Sequence, residues 1–131
     1  MRNPHTSLLA LTLCATALAS GSAAFADARL VAARPADGSI TSNVHVLSLS
    51  FSEPVVDKQS GIDLEMTAMP GMASHAPMKV SGFATMLAAD GRTVNITLPR
   101  ALPAGSYSLH WRMVTAQGGV RSEGQTRFSV R

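Results

Sequence analysis

Four methionines and one histidine recur at every third position within one short window of the chain. They are Met66, Met69, Met72, His75 and Met78. Thioether sulfur is a soft, uncharged ligand that suits Cu(I), or Ag(I) as its mimic, far better than Zn²⁺, Ca²⁺ or Mg²⁺. One imidazole would add a borderline donor. These residue types at this spacing therefore predict a soft-metal site.

The three-residue period does not match the regular elements that would make these methionines ordinary core residues. A helical stripe needs spacings of three and four, and Pro70, Gly71 and Pro77 oppose a helix. A half-buried strand needs a period of two. In an extended loop, successive donors would lie roughly 9 Å apart, because each residue rises about 3.1 Å. The donors can share an ion only if the chain folds back, and Pro70-Gly71 is a suitable turn.

An alternative explanation of the same window needs no metal. Methionine is flexible and adaptable, so these side chains could simply fill space in a loop that packs on the domain. Met113 is different, because it shares a face with Trp111 and is predicted to lie in the core. His45 and His110 each lie in a strand-like run as the sole obvious donor nearby. This isolation favours surface or hydrogen-bonded histidines over a second metal site.

The composition excludes several classes of protein. The chain has 131 residues, of which 46% are hydrophobic and 15% charged, which is typical of one globular domain. One cysteine allows no internal disulfide and no cysteine-built zinc or iron–sulfur site. The net charge of +3 comes without a basic cluster, so a nucleic-acid partner is not predicted. No acid–base pair or nucleophile motif stands out, and an enzyme is not predicted either.

Residues 1–26 have the parts of a secretory signal peptide. A short basic start precedes an apolar run from Leu8 to Leu18, and small residues follow up to Ala24-Phe25-Ala26. The apolar run is shorter than the about 20 residues that a membrane span requires, and no second run follows. We therefore expect cleavage after Ala26, loss of Cys14, and an exported domain of residues 27–131 without a membrane span.

The rest of the chain is patterned as short strands and turns. Apolar and polar residues alternate in Val94–Leu98 and in Tyr107–Val114, and less regularly in Val44–Phe51, where Val46 is counted with the inward residues. Turn signals such as Asp90-Gly91 and Gly118-Gly119 separate such runs. About seven short strands and no capped amphipathic helix predict an all-β fold, an antiparallel β-sandwich or Greek-key barrel.

The methionine window and several other runs of the chain resemble a known family. The run M-T-A-M-P-G-M, followed by His75, Pro77 and Met78, resembles the methionine-rich Cu(I) loop of the CopC/PcoC family of periplasmic copper-resistance proteins. Further resemblance lies in Pro35-Ala36-Asp37-Gly38-Ser39, Leu49-Ser50-Phe51-Ser52-Glu53, Leu102-Pro103-Ala104-Gly105-Ser106-Tyr107, Trp111-Arg112 and the final run Gly124 to Val130. The resemblance implies a cupredoxin-like Greek-key β-barrel, carriage of copper in the periplasm, and Met66, Met69, Met72, His75 and Met78 as Cu(I) ligands.

The chain also departs from that family. Many relatives hold Cu(II) through an N-terminal histidine together with an Asp and a His in the loop after the W-R strand. Here the expected first residue is Asp27, and Gln117 and Gly119 stand where the two loop ligands would fall. We therefore expect the Cu(II) site to be absent. A histidine-brace oxidative enzyme is not expected either, because a brace requires the N-terminal histidine.

Two functional hypotheses follow. The first is a periplasmic copper-binding protein that holds Cu(I) in the methionine loop for sequestration, for resistance, or for transfer to a periplasmic or membrane copper-transport partner. The second is an Ig-like exported interaction module that uses the methionine loop as a metal-independent contact surface for a partner protein.

Overall fold

The computed structural model describes residues 26–72 and 75–131. The predicted signal peptide therefore lies almost entirely outside the described residues. Nine β-strands and one short 3₁₀ turn, Asp57–Gln59, make up the regular structure of the described part. The strands in chain order are β1 Leu30–Arg34, β2 Ser39–Thr41, β3 Val46–Phe51, β4 Gly61–Ala68, β5 Met78–Val80, β6 Ala84–Leu87, β7 Thr93–Thr97, β8 Gly105–Val114 and β9 Arg121–Val130.

The strands form two sheets that pack as a β-sandwich. One sheet has the order β1-β3-β7-β6 and the other the order β2-β9-β8-β4-β5. All neighbours are antiparallel except β2, which runs parallel to β9. The predicted all-β sandwich is confirmed, with two differences: the strands number nine rather than about seven, and one pair is parallel. The additional strands include segments of three residues, too short to show a period in the sequence.

The core lies between the sheets and follows the predicted alternation along β8. Tyr107, Leu109, Trp111 and Met113 are all buried. Phe51 of β3 meets Trp111 edge-on across the two sheets, with ring centroids 5.0 Å apart. Because the rings belong to different sheets, this contact ties the two layers together. Met113 is 1% exposed, which confirms its predicted place in the core.

The predicted inward position of Val46 is wrong. Val46 is 53% exposed, whereas Leu47, Leu49 and Phe51 are buried. In a strand one face holds every second residue, so Val46 falls on the outer face with Ser48. The sequence pattern was ambiguous here because apolar residues stand at two consecutive positions.

Three strands position the methionine window. β4 lies between β8 and β5, so its last residues face both neighbours. Met66 is opposite Tyr107 on β8 and opposite Met78 on β5. Tyr107 is itself fixed, because it stacks on Phe128 at 5.4 Å and its hydroxyl donates a 2.6 Å hydrogen bond to the carbonyl of Pro103. Burial raises the pKa of the Tyr107 hydroxyl above its ordinary value. The site is thus anchored to the rigid middle of the larger sheet.

Candidate metal centre

The first pair of donors is formed by two strands. Met66 of β4 and Met78 of β5 are directly opposite each other in the antiparallel register. Directly opposite residues lie on the same face, with Cβ atoms about 4.5–5.5 Å apart. Met66 is 6% exposed and Met78 is 46% exposed. One thioether of the pair is therefore held in the core while the other reaches solvent.

The second pair is formed by the turn that follows β4. The backbone NH of Met72 donates to the carbonyl of Met69 at 3.1 Å, and the two residues form an isolated antiparallel bridge. Gly71 has a φ of 78°, and Pro70 precedes it, which is the sequence and geometry of a type II turn. The predicted reversal at Pro70-Gly71 is confirmed. It places Met69 and Met72 side by side instead of roughly 9 Å apart as in an extended ribbon.

A β-bulge turns Met66 and Met69 toward the same side of β4. Between Met66 and Ala68 the register of β4 against β8 shifts, so that two residues of β4 lie opposite one residue of β8. In a regular strand, residues three apart point to opposite faces. The extra residue, Thr67, reverses that alternation, and Met69 packs against the same core as Met66. A three-residue spacing in the sequence thus becomes a same-face spacing in the structure.

His75 presents one ring nitrogen without a protein partner. Its Nδ1 lies 2.7 Å from the carbonyl of Ala76, to which it donates when it carries the proton. Its Nε2 is buried and has no hydrogen-bond partner among the described residues. A buried polar atom of this kind is costly unless something binds it. The Nδ1–H tautomer leaves the Nε2 lone pair free, which is the arrangement that metal-ligating histidines use.

The surroundings of the Met66–Met78 pair do not suit a hard cation. A depression of about 350 Å³ adjoins the pair. The described residues that line it include Lys79 and Arg100 but no carboxylate. Ca²⁺ and Mg²⁺ require several oxygen ligands. The two thioethers are uncharged and carry no ionisable proton, so they can bind a soft monovalent ion without releasing protons.

The remaining histidines are not gathered into this site. The ring of His45 lies 3.0 Å from the side-chain oxygen of Asn43, and His110 Nε2 lies 3.4 Å from the Ser108 hydroxyl. Asp63 stands opposite His110 but bonds Arg112 at 2.8 Å, and this guanidinium holds the pKa of the Asp63 carboxyl below its ordinary value. Within residues 26–72 and 75–131, no group of three His, Cys, Asp or Glu side chains could hold a metal.

The loop between β8 and β9 closes on its own hydrogen bonds. The Thr115 hydroxyl donates to the carbonyl of Gln117 at 2.7 Å and accepts from the backbone NH of Val120 at 2.9 Å. Gln117 and Gly119, the positions compared with Cu(II) ligands above, are both exposed. Gly119 has a φ of 60°, which favours glycine over a side-chain-bearing residue. The hydrogen bonds of Thr115 and the positive φ of Gly119 therefore set the shape of this loop.

Two residues, Gly105 and Tyr107, support the candidate site in a way that the sequence pattern does not indicate. Gly105 begins β8 and lies against the end of β4. A Cβ added there would lie 2.5 Å from the Ala68 carbonyl oxygen and 3.3 Å from Met66 Cε. Tyr107 was assigned only to the core. Their link to Met66 depends on the pairing register of β4 and β8, which no local sequence signal specifies.

Gly105→Ala is expected to disturb the site and the fold together. The new methyl group would press on the Ala68 carbonyl, which is backbone and can move only with β4. We expect a loss of about 1–3 kcal/mol in the free energy of unfolding, as for overpacking elsewhere, and weaker metal binding. Urea denaturation and a metal titration on the same variant would measure both. Unchanged stability and affinity would show that β4 does not approach β8 as closely as described.

Comparison with known proteins finds relatives over most of the chain. The model of the CopC domain family matches residues 30–131. Copper resistance protein C of Xanthomonas campestris pv. juglandis is 41% identical over 105 residues, which is 80% of each chain. The protein of the same name from Pseudomonas syringae pv. tomato is 40% identical over 106 residues, 81% of this chain and 82% of the relative.

A solved structure shows the same architecture. The crystal structure of PcoC, a methionine rich copper resistance protein from Escherichia coli, superimposes with a TM-score of 0.72 at 31% identity. The match covers 81% of this chain and 100% of that chain. Among the described residues no helix is long and apolar enough to cross a membrane.

Proposed function

This chain belongs to the CopC domain family, and from that premise we propose that it is a copper-binding resistance protein that holds Cu(I) in its methionine loop. The observation that supports the proposal is a set of two methionine pairs, Met66 with Met78 between two strands and Met69 with Met72 across a turn. The bulge at Thr67 lies between them along the chain, and Met66 and Met69 pack against the same core.

The donor set favours Cu(I) over Cu(II). Thioethers stabilise the soft monovalent ion, and Ag(I) would bind as its mimic. The buried Nε2 of His75 is the fifth candidate donor. At the three positions compared with Cu(II) ligands the chain has Asp27, Gln117 and Gly119. We therefore propose that the protein carries Cu(I) and has no Cu(II) site of the family type. We also propose that it catalyses no oxidative reaction, because Asp27 stands where a histidine brace needs its N-terminal histidine.

We also propose that the protein acts in the periplasm after removal of residues 1–26. Packing of the domain supports a boundary at this place, because Ala28 is 1% exposed and its carbonyl accepts a 2.7 Å hydrogen bond from the Ser122 hydroxyl. Thioether ligands suit an oxidising compartment, since they cannot be lost to disulfide formation. Mass spectrometry of the exported protein would show whether the chain begins at Asp27.

Exposure of part of the site suits sequestration followed by transfer. Met72 and Met78 are 52% and 46% exposed, whereas Met66 lies in the core. An incoming donor from a periplasmic or membrane copper-transport partner can replace the two exposed thioethers one at a time. Because every donor is uncharged, no step requires separation of an ion pair.

Anaerobic titration of the purified protein with Cu(I) against a competing chelator tests the proposal. We expect stoichiometric binding, and X-ray absorption at the copper edge dominated by sulfur neighbours. Silver should compete for the same site. A protein that shows no Cu(I) affinity, or one whose copper has oxygen neighbours alone, would contradict the proposal. Metal-independent capture of a partner by the methionine loop would then favour the interaction module.

His75→Ala is expected to lower Cu(I) affinity about tenfold, or about 1.4 kcal/mol, because one donor is lost while the thioethers remain. The same chelator competition measures it. His45→Ala is the matched control, since His45 is exposed and its ring bonds only Asn43 in the described structure. Equal affinities of the two variants would remove His75 from the site.

A further inference from the structure

The methionines of this protein differ sharply in their access to solvent. Met86, Met72 and Met78 are 72%, 52% and 46% exposed. Met66 and Met113 are only 6% and 1% exposed. The most exposed one, Met86 of β6, lies outside the segment 66–78, whereas Met72 and Met78 are candidate donors within it. These five thioethers therefore form an accessible class and a protected class, and the candidate metal site has members of both. Met69 is partly buried and lies between the two classes.

Accessible thioethers react with two-electron oxidants of the peroxide class. The sulfur lone pair attacks one oxygen of hydrogen peroxide, the O–O bond breaks as the S–O bond forms, and proton transfer to the departing hydroxide gives water. Sulfur loses two electrons and the peroxide gains them. The product, methionine sulfoxide, is polar and is returned to the thioether by sulfoxide reductases.

We propose that Met72 and Met78 are sites of reversible oxidation by peroxide-class oxidants, and that their sulfoxides prevent Cu(I) binding. The second half of this inference rests on the proposed function. Oxidation uses one of the two sulfur lone pairs for the S–O bond and makes the other a weaker donor. The sulfoxide also offers a hard oxygen, which Cu(I) does not favour. Each of the two methionine pairs contains one of these residues, so a single oxidation at Met72 or Met78 breaks one pair.

The fold tolerates this modification at the two proposed positions. Met72 lies in the turn after β4, and Met78 begins β5, an edge strand with a neighbour on one side only. A sulfoxide oxygen at either position is solvated by water. At Met66 the same oxygen would be buried beside Tyr107, away from water. Oxidation of the accessible class therefore changes metal affinity while the sandwich stays folded.

Metal binding should in turn protect the two donors. Coordination occupies one sulfur lone pair and draws electron density from the other, so the bound thioether attacks peroxide more slowly. Met86 has no such protection, although it is the most exposed methionine described. It therefore serves as an internal reference within the same molecule. Ag(I) is the suitable probe, because it binds thioethers as Cu(I) does but does not cycle with peroxide.

The test is a limited hydrogen peroxide treatment of the purified protein, with and without Ag(I), followed by peptide mapping. Without metal we expect Met72, Met78 and Met86 to be oxidised at least about tenfold faster than Met66. With Ag(I), Met86 alone of these three exposed methionines should keep its rate. In a second arm, Met86→Leu protein is oxidised and then titrated with Ag(I), and its affinity should fall at least about tenfold relative to the untreated variant. Circular dichroism checks that it remains folded.

The possible outcomes separate this inference from the proposed function. Equal oxidation rates at Met66 and at Met72 and Met78 would overturn the division into two classes. Sulfoxides at Met72 and Met78 with unchanged Ag(I) affinity would overturn the control of binding, while the copper proposal would stand. Failure of the untreated protein to bind Ag(I) would overturn both. Selective oxidation with lost affinity and metal protection supports the inference.

Discussion

Replacement of Met66, Met69, Met72 and Met78 by leucine in one variant is expected to lower the Cu(I) affinity at least about 100-fold, or about 2.7 kcal/mol. Leucine has nearly the volume of methionine but no sulfur, so the variant loses its soft donors and keeps its packing. Met66 is the residue for which this matters most, because it is 6% exposed and fills part of the core. Competition with a Cu(I) chelator measures the loss.

The matched control replaces the two methionines of residues 27–131 that lie outside the loop. Met86→Leu and Met113→Leu together remove as many thioethers as one site pair, one from the surface and one from the core. Their Cu(I) affinity should equal that of the unmodified protein. If the fourfold variant bound Cu(I) as tightly as this control, the methionine loop would not be the copper site. Thermal unfolding of both variants would show whether either has lost its fold.

Trp111→Ala is expected to reduce the free energy of unfolding by about 3–5 kcal/mol, the range for removal of a large buried aromatic side chain. The indole contacts Phe51 of the opposite sheet, and Gly124 beside it is close enough that an added Cβ would strike the ring. Its removal leaves a cavity between the layers. Chemical denaturation followed by circular dichroism measures the change, since tryptophan fluorescence is lost with the residue.

This variant should separate stability from metal binding. Trp111 lies four residues along β8 from Tyr107, roughly 13 Å at about 3.3 Å per residue, and pairs with Ile62 rather than Met66. The folded fraction of Trp111→Ala should therefore keep its Cu(I) affinity under conditions where it remains folded. Gly105→Ala, in contrast, should impair both properties. Loss of affinity in folded Trp111→Ala would mean that the site depends on the whole sandwich.

The sequence predicted strands best where one face is buried and the other is wet. β7 and β8 alternate cleanly and were found within two residues of their observed bounds. β5 and β6 were not predicted, because strands of three and four largely exposed residues carry no period. The parallel pairing of β2 with β9 joins the two ends of the domain, and such a contact leaves no local pattern.

The membership of the candidate site stays a prediction, whereas part of its predicted geometry can be compared with the structure. The donor types and the turn at Pro70-Gly71 are local properties, and the structure contains that turn. The pairing of Met66 with Met78 depends on β5, and the shared face of Met66 and Met69 depends on the register against β8. Register is set by the packing of the whole sandwich, so no reading of the window alone could supply it.

Because of the bulge at Thr67, the spacing of the candidate donors along the sequence differs from their spacing on the sheet. Methionines two residues apart on a regular strand would present the same two sulfurs to an ion, with no three-residue ladder to reveal them. Conversely, a ladder with the same period on an unbroken strand would divide its thioethers between two faces. A search for soft-metal sites by a three-residue period alone would therefore miss methionines two apart on a regular strand. It would also accept a three-residue ladder on an unbroken strand, and strand register is the property that distinguishes the two cases.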